Sequence, residues 1–144
     1  MDAYKFDPNR KVLPGETHIL LAEDGQIYVR ILQAVLTKAG YKFSWVDDGV
    51  KAYEAIAGGF RPALLITDVM MPGMGGFELL TRLKAEGILP PAIVMTGLQS
   101  EEEVLRGLQC GAEDYIKKPF SPTVLLARAQ LILNRHAPPA KKNG

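Results

Sequence analysis

The chain has 144 residues, 47% of them hydrophobic, and carries 17 Lys and Arg against 16 Asp and Glu for a formal charge of +1. That length suits one domain with an ordinary buried core, and the balanced charge excludes a global field drawing it onto nucleic acid or anionic lipid. Its one cysteine, Cys110, excludes an internal disulfide and a cysteine-based zinc site. No apolar run approaches the roughly 18 residues of a membrane span. The charged start Met1-Asp2-Ala3-Tyr4-Lys5-Phe6-Asp7 lacks a secretion signal's apolar region, so a cytoplasmic setting is expected.

Residues 1–16 hold charges, Pro8, Pro14 and Gly15 without a hydrophobic period, and read as a mobile or loosely docked leader. His18-Ile19-Leu20-Leu21-Ala22 reads as a buried strand that delivers Glu23 and Asp24 to its carboxyl end. From Gln26, the residues Ile27, Ile31, Leu32, Val35, Leu36 and Ala39 recur at helical spacing, and Gly40 stands where such a helix stops. Tyr41 to Val46 reads as a second strand. Asp47-Asp48-Gly49 is a turn able to cap a second helix, with Val50, Tyr53 and Ile56 inward and Gly58-Gly59 at its end.

Ala63 to Ile66 is a short continuous apolar run, as expected of a strand buried on both faces of a parallel sheet, and it runs on into Asp68. In the following loop Pro72 fixes one backbone angle, while Gly73, Gly75 and Gly76 permit positive φ and close backbone approach. Phe77, Leu80 and Leu83 mark a third helix stopping near Gly87 and Pro90, and Ala92 to Met95 a fourth strand ending in Thr96-Gly97. Ser100-Glu101-Glu102-Glu103 reads as a cap with acids favourable to the helix dipole, followed by Val104, Leu105 and Leu108 facing inward. Glu113 to Phe120 is a last short strand running into Lys118 and Pro119. The final helix, Ser121 to Asn134, carries Val124, Leu125, Leu126, Leu131, Ile132 and Leu133, more than the roughly 100° stripe one packed face needs, so some should remain exposed.

Strands alternating with helices predict a doubly wound α/β domain over residues 17–135, between the leader and a basic tail at 136–144. In an open parallel sheet the strand carboxyl ends share one edge, so Glu23, Asp24, Asp68, Thr96 and Lys118 are expected to converge. Clustered carboxylates repel one another, and at least one pKa rises unless a cation joins them. Oxygen-only ligands select a hard ion such as Mg²⁺. A metal flanked by Lys118 and the Thr96 hydroxyl can neutralise and orient a transferring phosphoryl group, with Asp68 as the nucleophile that becomes an aspartyl phosphate.

Glu23-Asp24, Asp68 followed by Met71-Pro72-Gly73-Met74-Gly75-Gly76, Met95-Thr96-Gly97, and Tyr115-Ile116-Lys117-Lys118-Pro119-Phe120 resemble, in order and spacing, the receiver domain of bacterial response regulators. The resemblance implies a five-stranded sheet of flavodoxin-like order 2-1-3-4-5 with helices on both faces. It implies Mg²⁺ held by Glu23, Asp24, Asp68 and the Met70 backbone carbonyl, phosphorylation at Asp68, phosphate contacts from Thr96 and Lys118, and a cis bond between Lys118 and Pro119. Tyr115 corresponds to the family's switch aromatic, which turns inward as Thr96 moves onto the phosphate. The implied donor is a histidine kinase or phosphotransfer protein. A downstream protein target, or a phosphorylation-linked homodimer, would use the fourth helix, fifth strand and fifth helix. Such a chain is a switch in two-component signalling rather than an enzyme, although it assists its own phosphorylation and dephosphorylation. Met70 and Leu98 occupy positions that gate the phosphoryl group in this family; being apolar, they predict a slowly decaying phosphate.

Other readings fit less well. A phosphatase with an aspartyl nucleophile needs a second Asp where Met70 stands, and a nucleotide binder needs a phosphate loop where Ala22-Glu23-Asp24-Gly25 would repel phosphate unless a metal intervened. Direct nucleic-acid or membrane binding is not expected: the tail offers only Lys141-Lys142. The chain ends before an output domain could form, which favours a stand-alone regulator, with a receiver cut from a hybrid kinase or multidomain regulator as the alternative. His18 and His136 read as structural or solvated, and Trp45 as part of the second strand.

Overall fold

The structure, a computed structural model, describes residues 3–10, 16–97 and 100–137. Leu98, the 11–15 part of the leader and the tail from residue 138, including Lys141-Lys142, lie outside the described residues. In chain order the elements are β1 (His18–Ala22), α1 (Gln26–Lys38), β2 (Lys42–Val46), α2 (Gly49–Ala57), β3 (Leu64–Asp68), α3 (Gly76–Ala85), β4 (Ala92–Thr96), α4 (Glu101–Gln109), β5 (Asp114–Lys117) and α5 (Pro122–His136). The strands are all parallel and lie in the order β2-β1-β3-β4-β5, as expected.

Alternation along the strands divides the core in two. Leu20, Ala22, Leu65 and Val94 point toward α2 and α3, where they meet Ile56, Leu79, Leu80 and Leu83. Ile19, Leu21, Ile66, Ile93 and Met95 point the other way, toward Val29, Leu32 and Leu36 of α1 and Leu125, Ala129 and Ile132 of α5. A strand with period-two side chains and apolar residues on both faces must be covered on both sides, which is why these segments read as unbroken apolar runs. Each fully buried Leu or Ile contributes about 1.5–3 kcal/mol. By that measure α1, with Val29, Leu32 and Leu36 inside, is firmly held, whereas α4 buries only Gly107 and is the helix least attached to the sheet.

Three inward assignments are corrected. Leu105 and Leu108 are 58% and 52% exposed, because α4 approaches β5 through Gly107 and not through its leucines. A Cβ at Gly107 would stand 2.9 Å from the Tyr115 ring and 3.3 Å from Phe77, so this glycine is the notch into which the tyrosine fits. Leu105, roughly 100° around the helix from Val104, and Leu108, roughly 100° from Gly107, are turned to solvent. Val50 is likewise exposed: α2 packs through Ala52, Ala55 and Ile56, and Tyr53 is half-buried with its hydroxyl donating to Glu86 at 2.7 Å. In α5, Val124 and Leu131 remain exposed while Leu125, Ala129 and Ile132 are buried.

The caps form as the sequence suggests: Asp48 accepts from Lys51 N at 2.7 Å and Ser100 from Glu103 N at 3.1 Å. Glycine is obligatory at two places that set the loop after β3. A Cβ at Gly76 would lie 2.2 Å from the Asp68 carbonyl oxygen, and one at Gly49 2.0 Å from that of Met74. Within the leader, Tyr4 to Phe6 run parallel to β2, with Trp45 N donating to Tyr4 O at 3.0 Å and Phe6 N to Trp45 O at 2.8 Å. Among the described residues no helix is long and apolar enough to cross a membrane.

Candidate phosphoryl-transfer site

Parallel register brings the strand ends level: Ala22 pairs with Thr67, Asp68 with Met95, and Thr96 with Lys117. The residues at or just beyond those ends therefore surround one cleft. One oxygen from each of Glu23, Asp24 and Asp68 can lie within 4.8 Å of the others. Asp24 is exposed, Asp68 half-buried and Glu23 only 1% exposed. Lys118, which follows β5 and is joined to Pro119 by a cis peptide bond, donates to Asp68 Oδ2 at 3.2 Å and to Glu23 Oε1. The other Asp68 oxygen, Oδ1, accepts from Val69 N at 2.8 Å. Glu23 Oε2 accepts from the backbone N–H groups of Asp24 and Gly25 at 3.1 and 3.3 Å.

Burial pushes the Glu23 carboxyl up to about 7, and the neighbouring charge of Asp68 adds to the rise while Lys118 opposes it. Burial also works against the Lys118 ammonium, but Glu23 and Asp68 outweigh it and raise its pKa. The cleft thus holds three carboxyl groups around one ammonium. An excess of negative charge on hard oxygens suits a small divalent cation such as Mg²⁺, which takes one or two carboxylates and keeps waters for a phosphate to replace. Met70 sits on the loop two residues beyond Asp68, with its side chain 66% exposed.

Thr96, at the end of β4, is buried, and its backbone oxygen accepts from Lys118 N at 2.7 Å. Its side chain reaches the Tyr115 phenol. That phenol donates to Glu103 Oε2 at 3.1 Å, and burial followed by the Glu103 carboxylate pushes its pKa up to about 12. Contact thus joins Glu23, Asp68 and Lys118, with Asp24 beside them; Thr96 borders the group and links it to Tyr115.

Two participants had escaped the sequence reading. Glu103, read only as a helix-dipole acid, also accepts from Tyr115. Tyr28 in the first turn of α1 places its ring centroid 4.1 Å from Lys118 Nζ. The available signal was an aromatic residue one helical turn beyond Asp24, which becomes meaningful only once α1 and the segment after β5 are known to meet.

The family profile of the response regulator receiver domain matches residues 19–130. The chain belongs to that family. Response regulator MprA of Mycobacterium sp. (strain KMS) is 38% identical over 120 residues, which are 83% of this chain and 52% of that protein. The chain spans about half the length of the curated relatives it matches. Among solved structures, the receiver domain of the Francisella response regulator 1452 superposes with a TM-score of 0.79 at 27% identity, covering 85% of this chain and all of that one. The receiver domain of sensor histidine kinase PA1611 from Pseudomonas aeruginosa PAO1 has a TM-score of 0.75 at 26% identity, over 83% of this chain and 99% of its own, and holds a magnesium ion in its active-site cleft. This receiver therefore has the fold and family of a two-component signalling module.

Proposed function

We propose that this receiver, over residues 17–135, accepts a phosphoryl group on Asp68 from a histidine kinase or phosphotransfer protein and thereby switches a protein-binding surface. The observation that carries the reading is the clasp of Lys118 on Asp68 and Glu23 beside Asp24, four groups brought together from three strand ends. Glu23, Asp24 and Asp68, with the backbone carbonyl of Met70, would hold Mg²⁺. Bound there, the ion supplies charge neutralisation for the phosphoryl oxygens.

The chain's own groups do the rest. The Asp68 carboxylate attacks phosphorus in line, forming an oxygen–phosphorus bond as the bond to the donor's imidazole nitrogen breaks and its electron pair leaves with the imidazole. Lys118 exchanges its Asp68 contact for a phosphoryl oxygen, and the Thr96 hydroxyl turns onto another. That removes the Thr96 contact from Tyr115, whose ring then repacks between β5 and the weakly held α4. Leu105, Leu108, Val124 and Leu131 lie on the helices flanking β5, and their exposure suits a downstream protein or a second copy of the chain. The phosphate is lost slowly by the receiver's own action, in a cytoplasmic setting.

Incubation with acetyl phosphate, with and without Mg²⁺, tests the reading by intact mass. One phosphate should be gained in the presence of Mg²⁺ and little in its absence. Equal labelling of Asp68→Asn would place the acceptor elsewhere.

A further inference from the structure

Every polar contact of the Lys118 side chain described so far is to a carboxylate that would be engaged elsewhere once Asp68 is phosphorylated. Asp68 would carry the phosphoryl group, and Glu23 would turn its oxygens toward a cation. A lysine on a flexible four-carbon stem that leaves both carboxylates must still be aimed while it passes to a phosphoryl oxygen.

The Tyr28 ring is a third contact, and it is not ionic. Its centroid lies 4.1 Å from Lys118 Nζ, within the range of an ammonium–ring attraction. The ring is itself packed against a neighbour. Phe120, just past the cis Lys118–Pro119 bond, packs on it at 5.7 Å between centroids and an angle of 37°. Gly25 also borders it: a Cβ there would stand 3.4 Å from Tyr28 Cδ2, at ordinary contact distance. Helix α1 fixes the tyrosine's backbone one turn beyond the acid pair.

We propose that Tyr28 is a positioning residue for phosphoryl transfer: its ring face, packed on Phe120, keeps the Lys118 ammonium aimed into the cleft when Glu23 and Asp68 no longer bind it. The proposal rests on Asp68 being the phosphoacceptor. A quadrupole does not depend on the charge state of the site, so this contact persists across the phosphorylation cycle while the carboxylate contacts come and go. Tyr28 touches no reacting atom; it acts through Lys118.

Substituting Tyr28→Leu keeps an apolar side chain but removes the ring face, and Tyr28→Phe keeps the face without the hydroxyl. Proton NMR of the Lys118 ε-methylene group reads the contact directly, independently of any phosphorylation. Its resonance should be displaced by the ring in the wild type and in Tyr28→Phe, and should return to the ordinary lysine position in Tyr28→Leu. Labelling by acetyl phosphate with Mg²⁺ should fall about fivefold in Tyr28→Leu and stay within about twofold of wild type in Tyr28→Phe, with thermal unfolding confirming that both variants fold. An unchanged Lys118 resonance in Tyr28→Leu, wild-type labelling by it, or equal slowing of both variants would overturn the proposal. Should the wild type itself take no phosphate, the acceptor reading fails, and a Lys118 resonance that still moves only in Tyr28→Leu would show the lysine to be held by the ring all the same.

Discussion

Lys118 Nζ lies 3.2 Å from Asp68 Oδ2 across a separation of 50 residues, and the same ammonium binds Glu23. Replacing it with an apolar group of similar length removes the only cation in contact with both carboxylates among the described residues. Lys118→Met should fold, because Glu23 can take up a proton in place of its lost partner. Labelling by acetyl phosphate should drop on the order of 10²-fold, the usual loss when a charge-stabilising donor is removed. Rate measurements at matched Mg²⁺ check this, and a loss under threefold would remove Lys118 from the chemistry.

Met70 borders the site with its side chain largely in solvent, so its replacement should leave the core untouched. A thioether cannot orient a water for in-line attack, whereas a carboxamide can. Met70→Asn should therefore speed loss of phosphate from the purified phosphoprotein, by about tenfold if roughly 1.4 kcal/mol of barrier depends on water positioning. Equal decay of the two proteins would show that residue 70 does not set the lifetime.

Much of this site was legible because a parallel strand buried on both faces announces itself as an apolar run, and the polar residue that ends each run marks the functional edge. Thr96 follows Ile93-Val94-Met95 directly, while Asp68 and Lys118 stand one residue further on, after Leu64-Leu65-Ile66-Thr67 and Ile116-Lys117. Helix faces were less legible where contact depends on an absent side chain. Periodicity assigned Leu105 and Leu108 to the core of α4, yet Gly107 makes the contact because the Tyr115 ring needs its space. The Tyr28–Lys118 contact could not be read at all, since it joins α1 to a segment beyond β5.

That notch at Gly107 gives a test of its own. A methyl group there would meet Tyr115 at 2.9–3.1 Å, so the ring must shift. Overpacking costs about 1–3 kcal/mol, while alanine gains roughly 1 kcal/mol in helix propensity over glycine. Gly107→Ala should thus be destabilised by about 1 kcal/mol, and the Tyr115–Glu103 hydrogen bond should be lost, read from denaturant midpoints and the Tyr115 ring resonances. Wild-type ring resonances in a folded variant would show that the slot accommodates a side chain.

His18 predicts the acid side of the stability profile. Its Nε2 is 2.7 Å from Ser44 Oγ, its ring stands edge-on to Phe60 at 5.0 Å, and its buried Nδ1 has no hydrogen-bond partner among the described residues. Burial lowers its pKa from 6.5; Glu16 opposes the fall, and Arg10 and Lys42 add to it. A folded-state pKa below the unfolded value means the unfolded chain takes the proton first. Its stability contribution is therefore complete above about pH 6.5 and declines as pH falls from there through the lower folded value. Denaturant midpoints measured downward from pH 7 should show this decline, and His18→Gln should flatten it. An identical slope in both proteins would assign the loss to other groups.

The central claim, that Asp68 is the phosphoacceptor, is tested most directly by intact-mass measurement of wild type and Asp68→Asn after acetyl phosphate treatment with Mg²⁺. The account predicts one added phosphate on the wild type, none on a folded Asp68→Asn, and a phosphate mapped by peptide fragmentation to the segment holding Asp68. A folded Asp68→Asn that gains phosphate at the wild-type rate would contradict it.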